Sequence, residues 1–584
     1  MDDNDDLRLV EDALVSCADQ WADLEGITDC FTTAVFKYSS SCSETTDRPC
    51  HVVRHLAALN ELLFSSKMQL RDIPGARGQL ALVSLADFGL HLPGPQDFQS
   101  NLGTCLMHRL LKCHQFIAAL SVTPFHFEKC ASLLCDVYTC SRLKTLRLQF
   151  LCSPMRESIC ATIPSLTSLE ELEYSFFGDC CAEFPTALPE LVQTSPSLVV
   201  LGLQGTSMEE KATNNLLSCL VQSGISKELT LRGSLVPEAC REELLKYLML
   251  APSLTSFSFA ADSGKTEMAV LEVVLHNKTL SKVVISTFTG CIESIQLVAR
   301  IIGENTVISS LVILSIYEDV SSIHNAAYDS WIEALGKNEA LEALSIPYQI
   351  WNPQQWIRFN DILSSKHRLK KVYVLSDSTN HNLLTHLCHT LEDNGVHDKV
   401  SCGVYFAEEN IDLLKNKMFS VLFLVADVHE DVKTAALLQL PDCGHVNSLV
   451  LEIPRGNLAV ASALAEYVQS TSVLRKLEVS TGFADDFDFS DEWWKVLGSR
   501  LSLGITDNHT LLGIVLEGPL DQGWPDASKK VFAFYEATRR NMGLLAAAAA
   551  FTKTTVFDRN KNFVTPGDFP YKKPADTSAI SSPV

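Results

Sequence analysis

The chain has 584 residues, a formal net charge of −23, 46% hydrophobic residues and a mean hydropathy of +0.11. That is apolar material for a large core, which excludes an intrinsically disordered protein. The acidic balance weighs against nucleic-acid binding, which needs the opposite sign, and it suits solubility or a basic protein partner.

The opening MDDNDDLRLV has neither a basic n-region nor an apolar h-region, so no secretory leader is expected. The alanine- and leucine-rich run from Leu544 to Phe551 is far short of the ~20 residues that span a bilayer. The expectation is a soluble, cytoplasmic protein with no membrane partner. The 19 cysteines are odd in number and form no CxxC pair. In a reducing compartment they read as small buried hydrophobes.

Residues 1–75 carry no repeat. Within them CHVVRHLAALNELLFSSK spaces Val53, Leu56, Leu59 and Leu63 three or four apart, the period of an amphipathic helix. A helical cap over the first open core face is expected here. The rival is a short F-box-like recruiting module, but the Leu-Pro start usual in that module is missing.

Residues 76–551 repeat. The block SRLKTLRLQF places Leu143, Leu146 and Leu148 in the pattern L-x-x-L-x-L. The pattern returns at Leu169, Leu172 and Tyr174, at Leu198, Leu201 and Leu203, and more weakly at Leu229 and Leu231. It continues at Leu254, Phe257 and Phe259, at Leu280, Val283 and Ile285, at Ile308, Leu311 and Ile313, at Leu341, Leu344 and Ile346, and at Leu369, Val372 and Val374. Over residues 399–424 the register blurs, although VSCGVYF and MFSVLFL both read as strands. It is clear again at Val446, Leu449 and Leu451, at Leu474, Leu477 and Val479, and at Leu511, Ile514 and Leu516. Upstream, Ile117, Leu120 and Val122 fit one step earlier, and Leu80, Val83 and Leu85 one step before that. Most steps are 26 to 29 residues. Helical spacing fills the intervals, as in TEMAVLEVVLHN, ESIQLVARIIGEN, DSWIEALGKN and HNLLTHLCHTLEDN. Each of these ends in Asn, a residue that tolerates the left-handed conformation closing many helices.

A strand needs roughly 5 Å of lateral room and a helix about 10 Å, so stacked strand–helix units bend with the strands inside the arc. This is an α/β fold, a leucine-rich-repeat solenoid or horseshoe with ~28-residue strand–helix repeats. The sequence resembles the ribonuclease-inhibitor-like class of leucine-rich-repeat proteins over about residues 80–551. It departs from that class where Asn usually follows L-x-L, having Leu151, Phe177, Thr206 and Asp262 there. The block TRRNMGLLAAAAAF at 538–551 resembles a closing repeat of divergent arthropod members, ticks especially. Residues 552–584 lose all apolar periodicity and read as a disordered tail.

Chemistry-bearing motifs are few. SGKT at 263–266 follows a strand and opens a helix, but Phe259 stands where a phosphate loop needs its first Gly. His386 and His389 share a helix face with no further metal ligand evident, so a solvated face with Cys388 in the core is expected. No GxSxG or Cys–His signature is present. No enzyme, cofactor or metal is therefore expected.

The long steps are more informative. From Ile308 to Leu341 the step is 33 residues, and from Leu474 to Leu511 it is 37. Insertions in solenoids fall in loops on one rim. The first long step carries Tyr317, the loop of the neighbouring repeat carries Tyr348, Trp351 and Trp356, and the second long step carries Phe483, Phe487 and Phe489 interleaved with Asp485, Asp486 and Asp488, followed by Trp493. Aromatics in such loops anchor interfaces and carboxylates steer a basic partner. The competing reading is that these rings fold back over the edge of a long repeat. The inner face is the second candidate surface. Its residues between the last two leucines run Arg147, Glu173, Gly202, Thr230, Ser258, Val284, Val312, Ser345, Tyr373, Val450, Glu478 and Val515, a mixed and partly apolar series that suits protein contact. The expected function is a protein-binding scaffold or adaptor. The alternatives are a substrate receptor of a ubiquitin ligase, an inhibitor of a basic enzyme such as a ribonuclease, and a GTPase-activating protein.

Overall fold

The computed structural model describes, with short interruptions, residues 50–85, 106–122, 142–149, 163–175, 184–316, 326–480, 498–517 and 525–552. Helix α1 (Leu56–Ser65) leads into β1 (Met68–Asp72) and β2 (Leu80–Ser84). The array continues with β3 (Ile117–Val122), β4 (Thr145–Gln149), β5 (Glu171–Ser175), α2 (Phe184–Thr194), β6 (Val200–Gln204), α3 (Glu210–Ser223) and β7 (Glu228–Arg232). Its middle third is α4 (Arg241–Leu250), β8 (Ser256–Phe259), α5 (Gly264–His276), β9 (Lys282–Ile285), α6 (Ile292–Glu304), β10 (Ser310–Ile313), α7 (Asp329–Lys337), β11 (Ala343–Pro347) and α8 (Pro353–Ser365). It closes with β12 (Lys371–Ser376), α9 (His381–Asp393), β13 (Val400–Tyr405), β14 (Phe419–Leu424), α10 (Glu430–Gln439), β15 (Ser448–Glu452), α11 (Leu458–Ser470), β16 (Lys476–Ser480), β17 (Gly513–Glu517) and α12 (Pro525–Thr552).

The strands form one sheet in chain order. β1 pairs antiparallel with β2, and every later strand pairs in parallel with the one before it. This is an open α/β solenoid of the leucine-rich-repeat type. The repeat leucines and their substitutes, from Leu143, Leu146 and Leu148 to Leu511, Ile514 and Leu516, are buried in one continuous core. No unit encloses them alone, so each depends on its neighbours. At the first copy the expected register is off by one. Leu80 and Leu82 enter the core while Val83 is only half-buried, because β2 carries an irregularity against β3 after Leu80. Both strands of the blurred stretch are present, as β13 and β14, and a second irregularity after Cys402 explains the blur.

The helix-ending asparagines do not use the left-handed conformation. Asn277, Asn305 and Asn338 have φ of −66°, −82° and −70° and extended ψ. Their side chains do the work instead. The Asn305 amide donates to the carbonyls of Val274, Leu275 and Asn277, and its oxygen accepts from the backbone of Val307 and Ile308. Asn277, Asn338 and Asn508 repeat this arrangement against Leu248, Ile302, and Val468 with Thr471. Other residues fill the same rung elsewhere. Ser195 bonds the Leu166 carbonyl, Lys366 that of Asn338, and Lys399 those of Leu363 and Lys366. The result is a buried polar ladder that ties each helix end to the next unit.

The final rung is Asn541, which donates to the carbonyls of Asn508 and Leu511. Here the chain stays helical where another strand would follow, since α12 runs unbroken through the alanine block. The same helix meets the first elements. Phe64 packs on Phe532 and Tyr535, Asn60 and Gln69 donate to Glu536, and Arg539 reaches Asp72 at 3.5 Å. Gly543 passes so close to Asp72 that a Cβ would lie 3.0 Å from its carboxylate. One helix therefore contacts both ends of the array.

Truncating a rung strands several buried polar groups. Asn305→Ala is expected to lower unfolding free energy by about 2–4 kcal/mol, and Asn305→Asp by more, because a carboxylate meets three carbonyls. Chemical denaturation of both variants checks this. An Asp variant as stable as the parent would show that the donor is dispensable.

Candidate inner-face site

Parallel register aligns the inward residues in rows. Ser258, Val284, Val312, Ser345, Tyr373 and Ser401 lie side by side on β8 to β13. A row further along the strands holds Pro347, Leu375, Gly403 and Val421. A third aligns Tyr405, Phe423 and Val450. Val284, Val312 and Leu314 form an apolar cluster separate from the main core, with Leu375 packed against it. The rings of Tyr405 and Phe423 stack at 4.6 Å with 12° between their planes. Tyr373 is half-buried, and that burial pushes its phenol pKa up. The inner sheet face from β9 to β15 is thus an apolar and aromatic sector. Val284, Val312, Ser345, Tyr373 and Val450 were foreseen on it. Leu314, Leu375, Tyr405 and Phe423 were not, though a period of two continued past the last leucine would have pointed to the first two.

The flanks are charged but balanced. On β4 and β5, Arg147 meets Glu171 at 3.0 Å and Glu173 at 3.2 Å, and Glu173 leans over Gly202, where a Cβ would lie 3.2 Å from its Cγ. On β16, Lys476 pairs with Glu478 at 3.5 Å.

The expected rim anchors Tyr348, Trp351 and Trp356 are not on the surface, and this corrects their reading as interface residues. They are 2%, 3% and 1% exposed. A short 3-10 turn at Tyr348–Ile350 folds the loop inward, and Asn352 and Gln355 form a capping box that starts α8. Tyr348 stacks on Trp356 at 5.5 Å, Trp351 meets Trp356 edge-on at 4.9 Å, and the Trp356 indole donates to the Tyr348 carbonyl. The rings fill the space between β11 and α8. Tyr317, Phe483, Asp485, Asp486, Phe487, Asp488, Phe489 and Trp493 lie outside the described residues.

The remaining motifs have structural roles. In SGKT, Ser263 caps α5 by accepting from the Thr266 amide. Cys388 is in the core and burial pushes its thiol up to about 12, while His389 is exposed. Among the described residues no group of His, Cys, Asp and Glu side chains could hold a metal ion, and no helix is long and apolar enough to cross a membrane.

No family model matches the chain, and a comparison with curated proteins gave no match. Among solved structures it is similar to one described as the crystal structure of the Rad7 and Elc1 complex in yeast, with 14% identity over 61% of this chain and 75% of that one and a TM-score of 0.34.

One buried acid has a measurable signature. Glu267 is fully buried and accepts from the Thr289 amide and hydroxyl. Burial pushes its carboxyl pKa up, against the hydrogen bonds of Thr289 and Ser294. A raised folded-state value means that the proton stabilises the fold. That contribution is complete below the ordinary carboxylate range and is lost as pH rises through the folded value. Glu267→Gln keeps an acceptor without the charge. It is expected to melt above the parent at pH 8, with the gap closing toward pH 4. Thermal melts across that range decide it, and a constant gap would rule the titration out.

Proposed function

We propose that the chain is a non-enzymatic protein-binding scaffold whose contact surface is the inner sheet face from β9 to β15. The observation that carries this reading is the half-buried aromatic and aliphatic group of Tyr373, Leu375, Tyr405 and Phe423, which continues the apolar cluster of Val284, Val312 and Leu314 across the inner face. Rigid rings on a preformed surface are the usual centres of protein interfaces. The array, of the ribonuclease-inhibitor-like class and of arthropod type, would hold this surface in place, with residues 1–75 as its cap and 552–584 as a disordered tail in a cytoplasmic protein. The loop residues Tyr317, Phe483, Asp485, Asp486, Phe487, Asp488, Phe489 and Trp493 keep a proposed place as flanking contacts. A basic partner has support only from the net charge of −23, since the inner-face carboxylates Glu171, Glu173 and Glu478 already have cations. An adaptor or the substrate receptor of a ubiquitin ligase fits such a face better than an inhibitor of a basic enzyme or a GTPase-activating protein.

The test is affinity capture with the full chain beside Tyr405→Asp/Phe423→Asp. Both rings are half-exposed, so the variant is expected to fold and to lose a partner that the parent retains. A folded variant that keeps every partner of the parent would overturn the reading.

A further inference from the structure

The edge of the aromatic sector carries a charge feature that the balanced flanks lack. The sequence KHRLKK at 366–371 enters β12. Lys366 is buried as a ladder rung and also meets Glu339, and Arg368 reaches Glu342. Lys370 and Lys371 are exposed, and among the described residues neither has a carboxylate within ion-pair distance. The inner-edge cations of the flanks are matched, Lys144 by Glu170, Arg147 by Glu171 and Glu173, and Lys476 by Glu478. In a chain of net charge −23, two adjacent unmatched lysines are a local reversal of sign.

Strand periodicity ties that reversal to the sector. Lys371, Tyr373 and Leu375 alternate along β12 and share its inner face. Leu375 is level with Gly403 and Val421, and Tyr405 with Phe423 two residues further on. At about 3.3 Å per residue and 4.8 Å per strand, the path from Lys371 to the Tyr405–Phe423 stack is roughly 20 Å, the length of about six to seven extended residues.

We infer that the sector's occupant is an acidic-then-apolar peptide segment of a partner protein, with carboxylates on Lys370 and Lys371 and aliphatic or aromatic side chains laid over Tyr373, Leu375, Tyr405 and Phe423. This rests on the inner-face reading above and adds the partner's polarity and direction. The lysines act over about a Debye length, ~8 Å at physiological salt, so they orient the segment at contact rather than attract it from afar. A basic segment in the same place would meet two uncompensated like charges.

The probe is a fluorescein-labelled ten-residue peptide with three glutamates at one end and leucine, phenylalanine and leucine at the other. Its controls are a peptide with lysines for the glutamates and one with serines for the apolar residues. Anisotropy titrations use the full chain, Lys370→Glu/Lys371→Glu, and Tyr405→Asp/Phe423→Asp. The acidic peptide is expected to bind the parent, to bind the lysine variant about tenfold more weakly, and to lose to the lysine-ended peptide on that variant. The serine control and the ring variant are expected to abolish binding. Equal binding of acidic and basic peptides by the parent, unchanged binding by the lysine variant, or no binding of the acidic peptide would each overturn the inference. The scaffold reading stands in those cases if the ring variant still loses its captured partner, and falls with it if that partner is kept.

Discussion

Helices α4, α5, α6, α8 and α11 end in carbonyls that a side chain of the following unit satisfies. They are buried, so water cannot satisfy them, and each would cost about 1–3 kcal/mol if left alone. The ladder of buried side chains answers that constraint. Asn277, Asn305, Asn338, Asn508 and Asn541 each reach back to carbonyls of the preceding unit, and the first four also accept from the backbone that starts the next strand. The leucines then meet in register because the rungs set the spacing between units. Serine at 195 and lysines at 366 and 399 show that the requirement is for a donor of suitable reach and not for one residue type.

The same constraint accounts for how the array ends. Asn541 satisfies the Asn508 and Leu511 carbonyls from within a helix, so the ladder is completed without a further strand. Alanine favours the helix strongly, and the block after Asn541 holds little that would pack as a strand. Because α12 also contacts Asn60, Phe64, Gln69 and Asp72, the first and last units share a neighbour. In an open array the terminal units fray first, having one neighbour each. Here α12 supplies packing to both.

The repeat was legible because its signal is local and periodic. An apolar residue at each of three fixed offsets, recurring every 26 to 29 residues, admits few folds. The asparagines were visible too, but their role was not, since an extended φ with long-range bonds and a left-handed φ with local ones look the same in a sequence. The aromatics of PYQIWNPQQW illustrate the limit on sites. Their position in the loop after a strand, beside a long step, suggested a rim, whereas Trp356, Phe359 and Leu363 recur three and four apart, which is the core-facing period of an amphipathic helix. That period carried the better information, and all three are buried in α8. Tyr405 and Phe423 escaped notice for a different reason. The irregularity after Cys402 shifts which residues are level across β13 and β14, and level position is a property of paired strands.

Curvature sharpens what the inner face can hold. Strands there stand about 4.8 Å apart, too close for large side chains in adjacent columns to lie flat. Most inward positions accordingly carry small or β-branched residues, among them Gly202, Thr230, Ser258, Val284, Val312 and Ser345. Tyr405 and Phe423 break that rule, and they fit only by stacking face to face at 4.6 Å. A core does not need them, since Cys402, Val404, Leu422 and Leu424 on the opposite side of the same strands already fill it. Tyr373 and Leu375 are likewise backed by buried Val372 and Val374. Exposed apolar area that contributes nothing to the core has an unfavourable hydration term in the free protein. Covering it against a second molecule removes that term, and the unmatched charges at Lys370 and Lys371 set the direction from which a covering segment fits.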